Sequence, residues 1–143
     1  MAPRSSSSGA RADVTTWIAK VGERLEFIGK ESARTVAVEV RRPIYSGGNM
    51  PVRTGNLMNS LQASTSGVPS GGYRPSTHER LPDPMGQVNS VIDGSKLGDK
   101  ISLGFRVAYS VYAERKHMFV HLTALKWRSI VSDVTEKAKR IIP

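Results

Sequence analysis

The side chains that could support acid–base chemistry or metal binding in this 143-residue chain are three histidines and twelve carboxylates, and the chain has no cysteine. His117 and His121 are four residues apart, so they would share one face of a helix, as in helical zinc motifs. No glutamate stands beside His117, and no third ligand follows at a suitable spacing. The third histidine, His78, lies in a segment rich in glycine and proline. We therefore expect no metal ion and no other cofactor.

Motifs of enzymatic catalysis are also missing. Asp83, Asp93 and Asp99 stand next to proline or glycine, where aspartate is a favourable turn residue. The chain contains no GxSxG nucleophile motif, no GxxxxGK[ST] phosphate loop and no GxGxxG dinucleotide motif. Without cysteine there is neither a thiolate nucleophile nor a disulfide framework. The sequence predicts a protein that is not an enzyme.

The charge balance suggests a small basic nucleic-acid-binding protein as one hypothesis, because the formal net charge is +9. The basic residues are spread along the chain, however, a pattern typical of solvated helix faces. Trp17 and Trp127 could stack on bases, but both fall on apolar stripes, which predicts that they belong to the core. Nucleic-acid binding therefore stays the alternative hypothesis.

The most informative segment is residues 50–61, Met-Pro-Val-Arg-Thr-Gly-Asn-Leu-Met-Asn-Ser-Leu. A proline leads into it, and Thr54 is predicted to be the N-cap of a short helix. Gly55 keeps the first turn small, and Leu57 and Leu61 are predicted to face inward. The segment thus predicts a loop followed by a short helix that packs on the core.

This segment resembles the Pro-Val-x-Thr-Gly-x-Leu-x-x-Ser motif of a family of tailed-bacteriophage proteins, the tail-completion, neck or head–tail joining proteins. The order of elements is similar as well: a long N-terminal helix, a Tyr-Ala-x-x-x-Glu stretch after the sheet, and an aromatic residue leading the last helix. Tyr109 or Tyr112, with Ala113 and Glu114, matches that stretch loosely, and Phe119 leads the last helix. The chain has Arg-Lys-His at 115–117, where family members commonly carry a glycine soon after the glutamate.

The resemblance implies a structural virion protein of a long-tailed phage or phage-like particle. Such a protein would form a ring in the neck that joins the head or connector to the tail. The expected partners are further copies of the chain in a cyclic, six-fold homo-oligomer, and the adjoining connector and tail proteins. DNA would only pass through the ring, and no membrane would be involved. We expect assembly in the host cytoplasm and a final location in the neck or tail of the virion.

The predicted fold class is α+β, with a small antiparallel sheet covered by two long helices plus one short helix. Residues 1–11, rich in serine, are predicted to be a disordered tail, and residues 12–143 a single domain. The first long helix is predicted to start near Asp13 and to stop before Pro43. Its apolar stripe comprises Val14, Trp17, Ile18, Val21, Leu25, Ile28, Ser32, Val36 and Val40.

The remaining elements follow from local patterns. Strands are predicted at 62–66, 87–92 and 101–107, with a hairpin between the last two. Residues 108–115 are predicted to be a short helix or a continuation of the strand, and residues 119–142 a second long helix. Glycine and proline fill eight of the twenty positions between 67 and 86, which predicts a loop in solvent or at a subunit boundary.

Apolar and aromatic residues in or beside turns predict an interface, because a monomer has little to bury them against. Arginines and a glutamate beside them would form its polar rim. The predicted interface residues are Ile44, Tyr45, Met50, Arg53, Tyr109, Tyr112, Glu114, Arg115, Met118 and Phe119.

Overall fold

The structure is a computed structural model that describes residues 13–69 and 71–143 in full. The predicted disordered tail at residues 1–11 lies outside the residues that are described in full and stays a prediction, although the bounds of α1 extend to Ala2. The predicted α+β fold class is confirmed: the described chain combines helices with a two-stranded antiparallel sheet. In chain order the elements are α1 (Ala2–Val40), a 3₁₀ turn (Ile44–Ser46), α2 (Asn56–Asn59), β1 (Leu61–Ser64), α3 (Met85–Gly94), β2 (Ser102–Phe105), α4 (Ser110–His117), α5 (Phe119–Leu125) and α6 (Trp127–Ile141).

The two longest helices, α1 and α6, pack against each other in opposite directions. Three polar contacts set this direction: Lys126 Nζ to Glu39 Oε1 at 2.6 Å, Lys137 Nζ to Glu31 Oε1 at 3.3 Å, and Arg24 Nε to the carbonyl oxygen of Ile142 at 2.6 Å. On the face of α6 between these polar contacts, every fourth residue is buried: Ile130, Val134 and Ala138. Because α6 ends beside Arg24, it covers α1 only from that residue onward.

The prediction that both tryptophans belong to the core is wrong. Trp17 precedes the part of α1 that α6 covers, and it is 64% exposed. Trp127 begins α6 and is 49% exposed. The apolar stripe predicted for α1 does lie on a helix, but Val14, Trp17 and Ile18 at its N-terminal end are exposed.

The sheet pairs β1 with β2 in an antiparallel register, with Leu61 opposite Phe105 and Ala63 opposite Leu103. The alternating pattern at 101–107 therefore predicted β2 correctly. Helix α3 packs on β1, where the Gln87 side chain accepts from the Ala63 amide at 3.1 Å and donates to its carbonyl at 2.9 Å. The predicted hairpin between 87–92 and 101–107 is wrong, because β2 pairs with β1, which is distant in sequence.

The predicted strand at 87–92 is wrong, because this segment forms α3. Val88 and Ile92 are fully buried and four residues apart, so they lie on one helical face. The second long helix predicted at 119–142 is interrupted at Lys126, which separates α5 from α6. Residues 110–117 form a helix, α4, the first of the two structures predicted there.

The glycine- and proline-rich segment forms neither helix nor strand from residue 71 to residue 84, and α3 begins at Met85. The segment is nevertheless tied to the body of the protein. The Tyr73 amide donates to the Arg106 carbonyl at 2.8 Å, and the Tyr73 carbonyl accepts from the Ala108 amide at 2.8 Å. Tyr73 and Leu81 also pack against the core. The segment is therefore not a free loop in solvent.

A hydrogen bond between Tyr73 and Glu79 folds this segment on itself. The Tyr73 hydroxyl donates to Glu79 Oε2, and the Ser76 amide donates to Oε1 at 3.1 Å. Both bonds favour the ionised carboxylate, so the pKa of Glu79 is lowered, chiefly by Tyr73. The pKa of Tyr73 is raised by the same hydrogen bond.

Replacing Tyr73 by phenylalanine is expected to raise the pKa of Glu79 towards its ordinary value. Because the folded-state pKa of Glu79 is depressed, its contribution to stability is present above the unfolded-state pKa and is lost as the pH falls through the folded-state value. Carbon NMR of the glutamate carboxyl groups across acid pH measures the titration midpoint of Glu79 in the wild type and in Tyr73→Phe. A Glu79 midpoint that is the same in the wild type and in Tyr73→Phe would contradict the role of this bond.

Candidate functional site

The turn that follows α1 decides which of the predicted interface residues reach the surface. The Met50 carbonyl accepts from the Ile44 amide, and the Met50 amide donates to the Arg42 carbonyl, each at 3.1 Å. A side chain at Gly48 would lie 2.0 Å from the Arg42 carbonyl oxygen, so only glycine fits this closed turn. Met50 is thereby returned to the core and is fully buried. It is not an interface residue.

Phe119 is the second predicted interface residue that the structure places in the core. Met118 adopts a left-handed conformation, φ 53°, and so ends α4 before α5 begins at Phe119. Phe119 then packs edge-on against Phe105 with the ring centroids 5.2 Å apart, and only 1% of it is exposed. Glu114 accepts from the Val120 and His121 amides at 2.8 and 3.0 Å. Its carboxylate therefore stabilises the start of α5 instead of serving as a free rim contact.

The other predicted interface residues remain at the surface. Tyr45 and Tyr112 are 79% and 71% exposed. Ile44, Arg53, Tyr109, Arg115 and Met118 are also exposed. Glu114 is half-buried.

A groove of about 600 Å³ brings three of these residues together. Pro51, Arg53, Thr54, Gly55 and Leu57 line one side, and Tyr109, Tyr112, Ala113, Lys116 and His117 line the other. Ile44 and Tyr45 stand on the 3₁₀ turn and do not line it. We call this the motif groove, because the two segments that form it are the two that carry the phage-family resemblance.

The Thr-Gly pair in the motif groove starts α2 in a different way from the one predicted. Gly55, with φ 82°, occupies the N-cap position, and Thr54 precedes it. The Thr54 hydroxyl still accepts from the Asn56 amide, at 3.3 Å, two residues on. The glycine is needed because this left-handed conformation is unfavourable for any residue with a Cβ.

Arg41 holds this segment against the end of α1. Its guanidinium donates from Nε to the Met58 carbonyl and from Nη2 to Asn59 Oδ1, both at 3.0 Å. Burial lowers the pKa of Arg41, and the Asp83 carboxylate 3.6 Å away partly offsets this shift. The wall of the groove is therefore positioned by a buried charge–dipole contact rather than by α2 alone.

The chemistry of the motif groove is aromatic and cationic. Arg53 and Lys116 are exposed at its sides and form no ion pair with any described residue, and neither does the adjacent Arg115. Within the described residues, no cluster of three histidine, aspartate or glutamate side chains could hold a metal ion. The groove offers apolar contact, ring stacking and binding of an acidic group.

A second surface was not recognised from the sequence. An apolar trough runs between α1, the loop at 95–99, β2 and the start of α6, in two adjoining parts of about 550 and 580 Å³. The two parts share Val36, Ile101, Leu103, Thr123 and Ala124. One signal in the sequence could have indicated uncovered apolar surface. The apolar stripe predicted on α1 is longer than the one predicted on the second long helix, so a monomer cannot cover all of it.

Comparison of the chain with protein-family models, with curated proteins and with solved structures returns no match. In the part of the chain that the structure describes, no helix is long and apolar enough to cross a membrane. The phage-family resemblance therefore rests on the residues of the motif groove and on the order of the elements.

Proposed function

We propose that this protein is a non-enzymatic structural subunit of a long-tailed phage or phage-like particle. In this proposal it forms a ring in the neck that joins the head or connector to the tail, and it resides in the virion. The observation that carries the proposal is the motif groove. Its two walls, residues 51–57 and 109–117, are far apart in sequence, and each contains one part of the family pattern.

The exposed residues of the motif groove suit protein–protein contact. Tyrosine and arginine are enriched in interfaces, since each combines a large contact area with hydrogen-bonding capacity. Tyr109, Tyr112 and Arg53 provide these side chains at one place. A small subunit that surrounds a DNA channel must assemble with closed cyclic symmetry, so each copy needs such contacts with its neighbours and with the adjoining rings.

The second candidate function is nucleic-acid binding by the same surface. The observation that favours it is the pair of cations in the groove, Arg53 and Lys116, which form no ion pair with any described residue and share the lining with Tyr109 and Tyr112. Phosphate contact by cations and base stacking on aromatic rings would use these groups directly.

A Tyr112→Asp variant tests the proposal. It places a charge in the motif groove at an exposed position, so the fold should remain stable while particle assembly fails. Electron microscopy of lysates should then show separate heads and tails, and infectious titre should fall by orders of magnitude. Val68→Asp, at an exposed apolar position outside the groove, is the matched control and should assemble normally.

Normal particles from Tyr112→Asp would contradict the neck function. To test the alternative, DNA binding by the wild type and by Arg53→Ala with Lys116→Ala is measured over a range of salt concentrations. Salt-dependent binding that the double variant loses, together with normal particle assembly, would establish the nucleic-acid function instead.

A further inference from the structure

The described part of α1 begins with an exposed apolar stripe, since Val14, Trp17 and Ile18 are 56%, 64% and 59% exposed. Every residue from 13 to 20 is exposed, although Val14, Trp17 and Ile18 form an apolar stripe on one helix face. We call residues 13–20 the arm. A single helix that projects without packing is marginally stable in water. The stripe of the arm is therefore available for packing against a second surface.

The apolar trough has the complementary property, since it is a groove lined largely by apolar side chains. Leu97 and Trp127 are 59% and 49% exposed on its sides, and Leu103 and Ile101 of the sheet region form its floor. Val120 and Val111 extend the apolar lining at the other end and are also exposed. A groove of this kind suits an amphipathic helix that presents residues at i, i+3 and i+4, which is the spacing of the arm's stripe.

The total surface area of the chain is larger than that of a compact monomer and leaves room for contacts with neighbouring subunits. A compact monomer of 15.6 kDa is expected to expose about 7,300 Å². This chain exposes 9508 Å². The excess, roughly 2,200 Å², exceeds the roughly 1,600 Å² that a subunit with two neighbours buries at about 800 Å² per interface.

We propose that the arm of one copy packs into the apolar trough of a second copy. The two surfaces differ, so the contact is heterologous and leaves a free arm at one end and a free trough at the other. Repeated contacts of this kind generate a ring if the rotation closes. That the repeats close into a ring rests on the proposed neck function, whereas the arm-to-trough contact itself does not.

Packing of the arm into the trough covers more of the exposed apolar residues than pairing between two arms would. An arm-to-arm dimer would cover Trp17 and Ile18 but would leave Leu97 and Trp127 of the trough open. The charges also permit the arm-to-trough contact despite the net charge of +9. The arm and the next turns carry Asp13, Lys20, Glu23 and Arg24. The trough is bordered by three carboxylates and three cations, so each side is balanced: Glu26, Lys30, Lys96, Asp99, Glu114 and Arg115.

Cross-linking between engineered cysteines tests which surfaces meet, and it is specific because the chain has no cysteine of its own. Full-length Ile18→Cys is mixed with a size-tagged Leu97→Cys chain and treated with a short bismaleimide. We expect a cross-linked pair that contains one chain of each kind. Replacing the trough cysteine with Tyr45→Cys, on the exposed 3₁₀ turn, should abolish the mixed product. Efficient cross-linking of Ile18→Cys to itself, without the mixed product, would show arm pairing and overturn the proposal.

Analytical ultracentrifugation of the full chain provides the second measurement. Trp17→Glu should raise the dissociation constant for self-association by roughly 30-fold or more, as expected for a buried tryptophan at an interface centre. Thr16→Glu adds the same charge on the opposite face of the helix and should leave self-association unchanged. Equal effects of the two variants would overturn the proposal. A wild-type chain that stays monomeric up to its solubility limit would overturn it as well.

These outcomes are separable from failure of the neck function. If the mixed cross-link forms and Trp17→Glu dissociates the oligomer, while Tyr112→Asp particles assemble normally, the contact stands and the neck function fails. If Tyr112→Asp particles fail to join but the cross-link does not form, the neck function stands and another surface mediates the ring.

Discussion

Replacing Phe119 by alanine is expected to lower the free energy of unfolding by about 3–5 kcal/mol, because it removes a fully buried ring and leaves a cavity. The ring contacts Phe105 edge-on, so this aromatic pair is lost as well. Chemical denaturation followed by circular dichroism measures the change directly. In thermal unfolding the midpoint should fall by roughly 10 °C or more.

Tyr112→Ala is the matched control for Phe119→Ala. Tyr112 is seven residues earlier and largely exposed, so its removal should change stability by less than about 0.5 kcal/mol. The pair of variants separates a core aromatic residue from a surface one within the same part of the chain. If Phe119→Ala were as stable as Tyr112→Ala, Phe119 would belong to the surface, as the sequence alone suggested.

Replacing Asn56 by alanine is expected to cost about 3 kcal/mol. Asn56 is 5% exposed, and its side-chain amide donates to the Glu79 carbonyl at 3.0 Å and accepts from the Leu81 amide at 2.8 Å. Alanine would leave both backbone groups without this partner in a poorly hydrated place, which is more costly than losing an exposed hydrogen bond. Urea denaturation measures the loss.

Thr54→Ala is the control for Asn56→Ala, because Thr54 is exposed and its single described hydrogen bond is long, at 3.3 Å. It should cost no more than about 0.5 kcal/mol. Comparable losses in the two variants would contradict the anchoring of residues 79–81 by Asn56. The same anchoring implies that deletion of residues 71–82 destabilises the monomer, since it would leave the buried Asn56 amide without its partners.

Local sequence patterns predicted those elements whose stability depends on neighbouring residues. Pro43 ends α1 because it has no amide hydrogen and restricts the residue before it. The Gly47–Gly48 pair marks a turn that only glycine can form at position 48. Alternation at 101–107 indicated β2, since a half-buried strand must alternate between its two faces. The α+β class followed from these elements together.

Where the residue spacing fits both a helix and a strand, tertiary contacts decided which of the two forms. Residues 87–92 contain valines and an isoleucine, which favour a strand, yet Val88 and Ile92 also lie four residues apart. Packing against β1 selected the helix, and the Gln87 side chain completes the backbone hydrogen bonding of Ala63 there. No local signal revealed that β1 would pair with β2 some forty residues later.

In the candidate site, too, some properties followed from the sequence and others only from the tertiary structure. The sequence by itself determined which residues are aromatic, cationic and close to turns, and it correctly indicated exposed positions at Tyr45, Tyr109 and Tyr112. Only the tertiary structure decided that Met50 and Phe119 point into the core, because a closed turn and a left-handed residue direct them there. Side-chain burial depends on chain direction after each turn, and that direction is set by backbone hydrogen bonds and packing between segments distant in sequence.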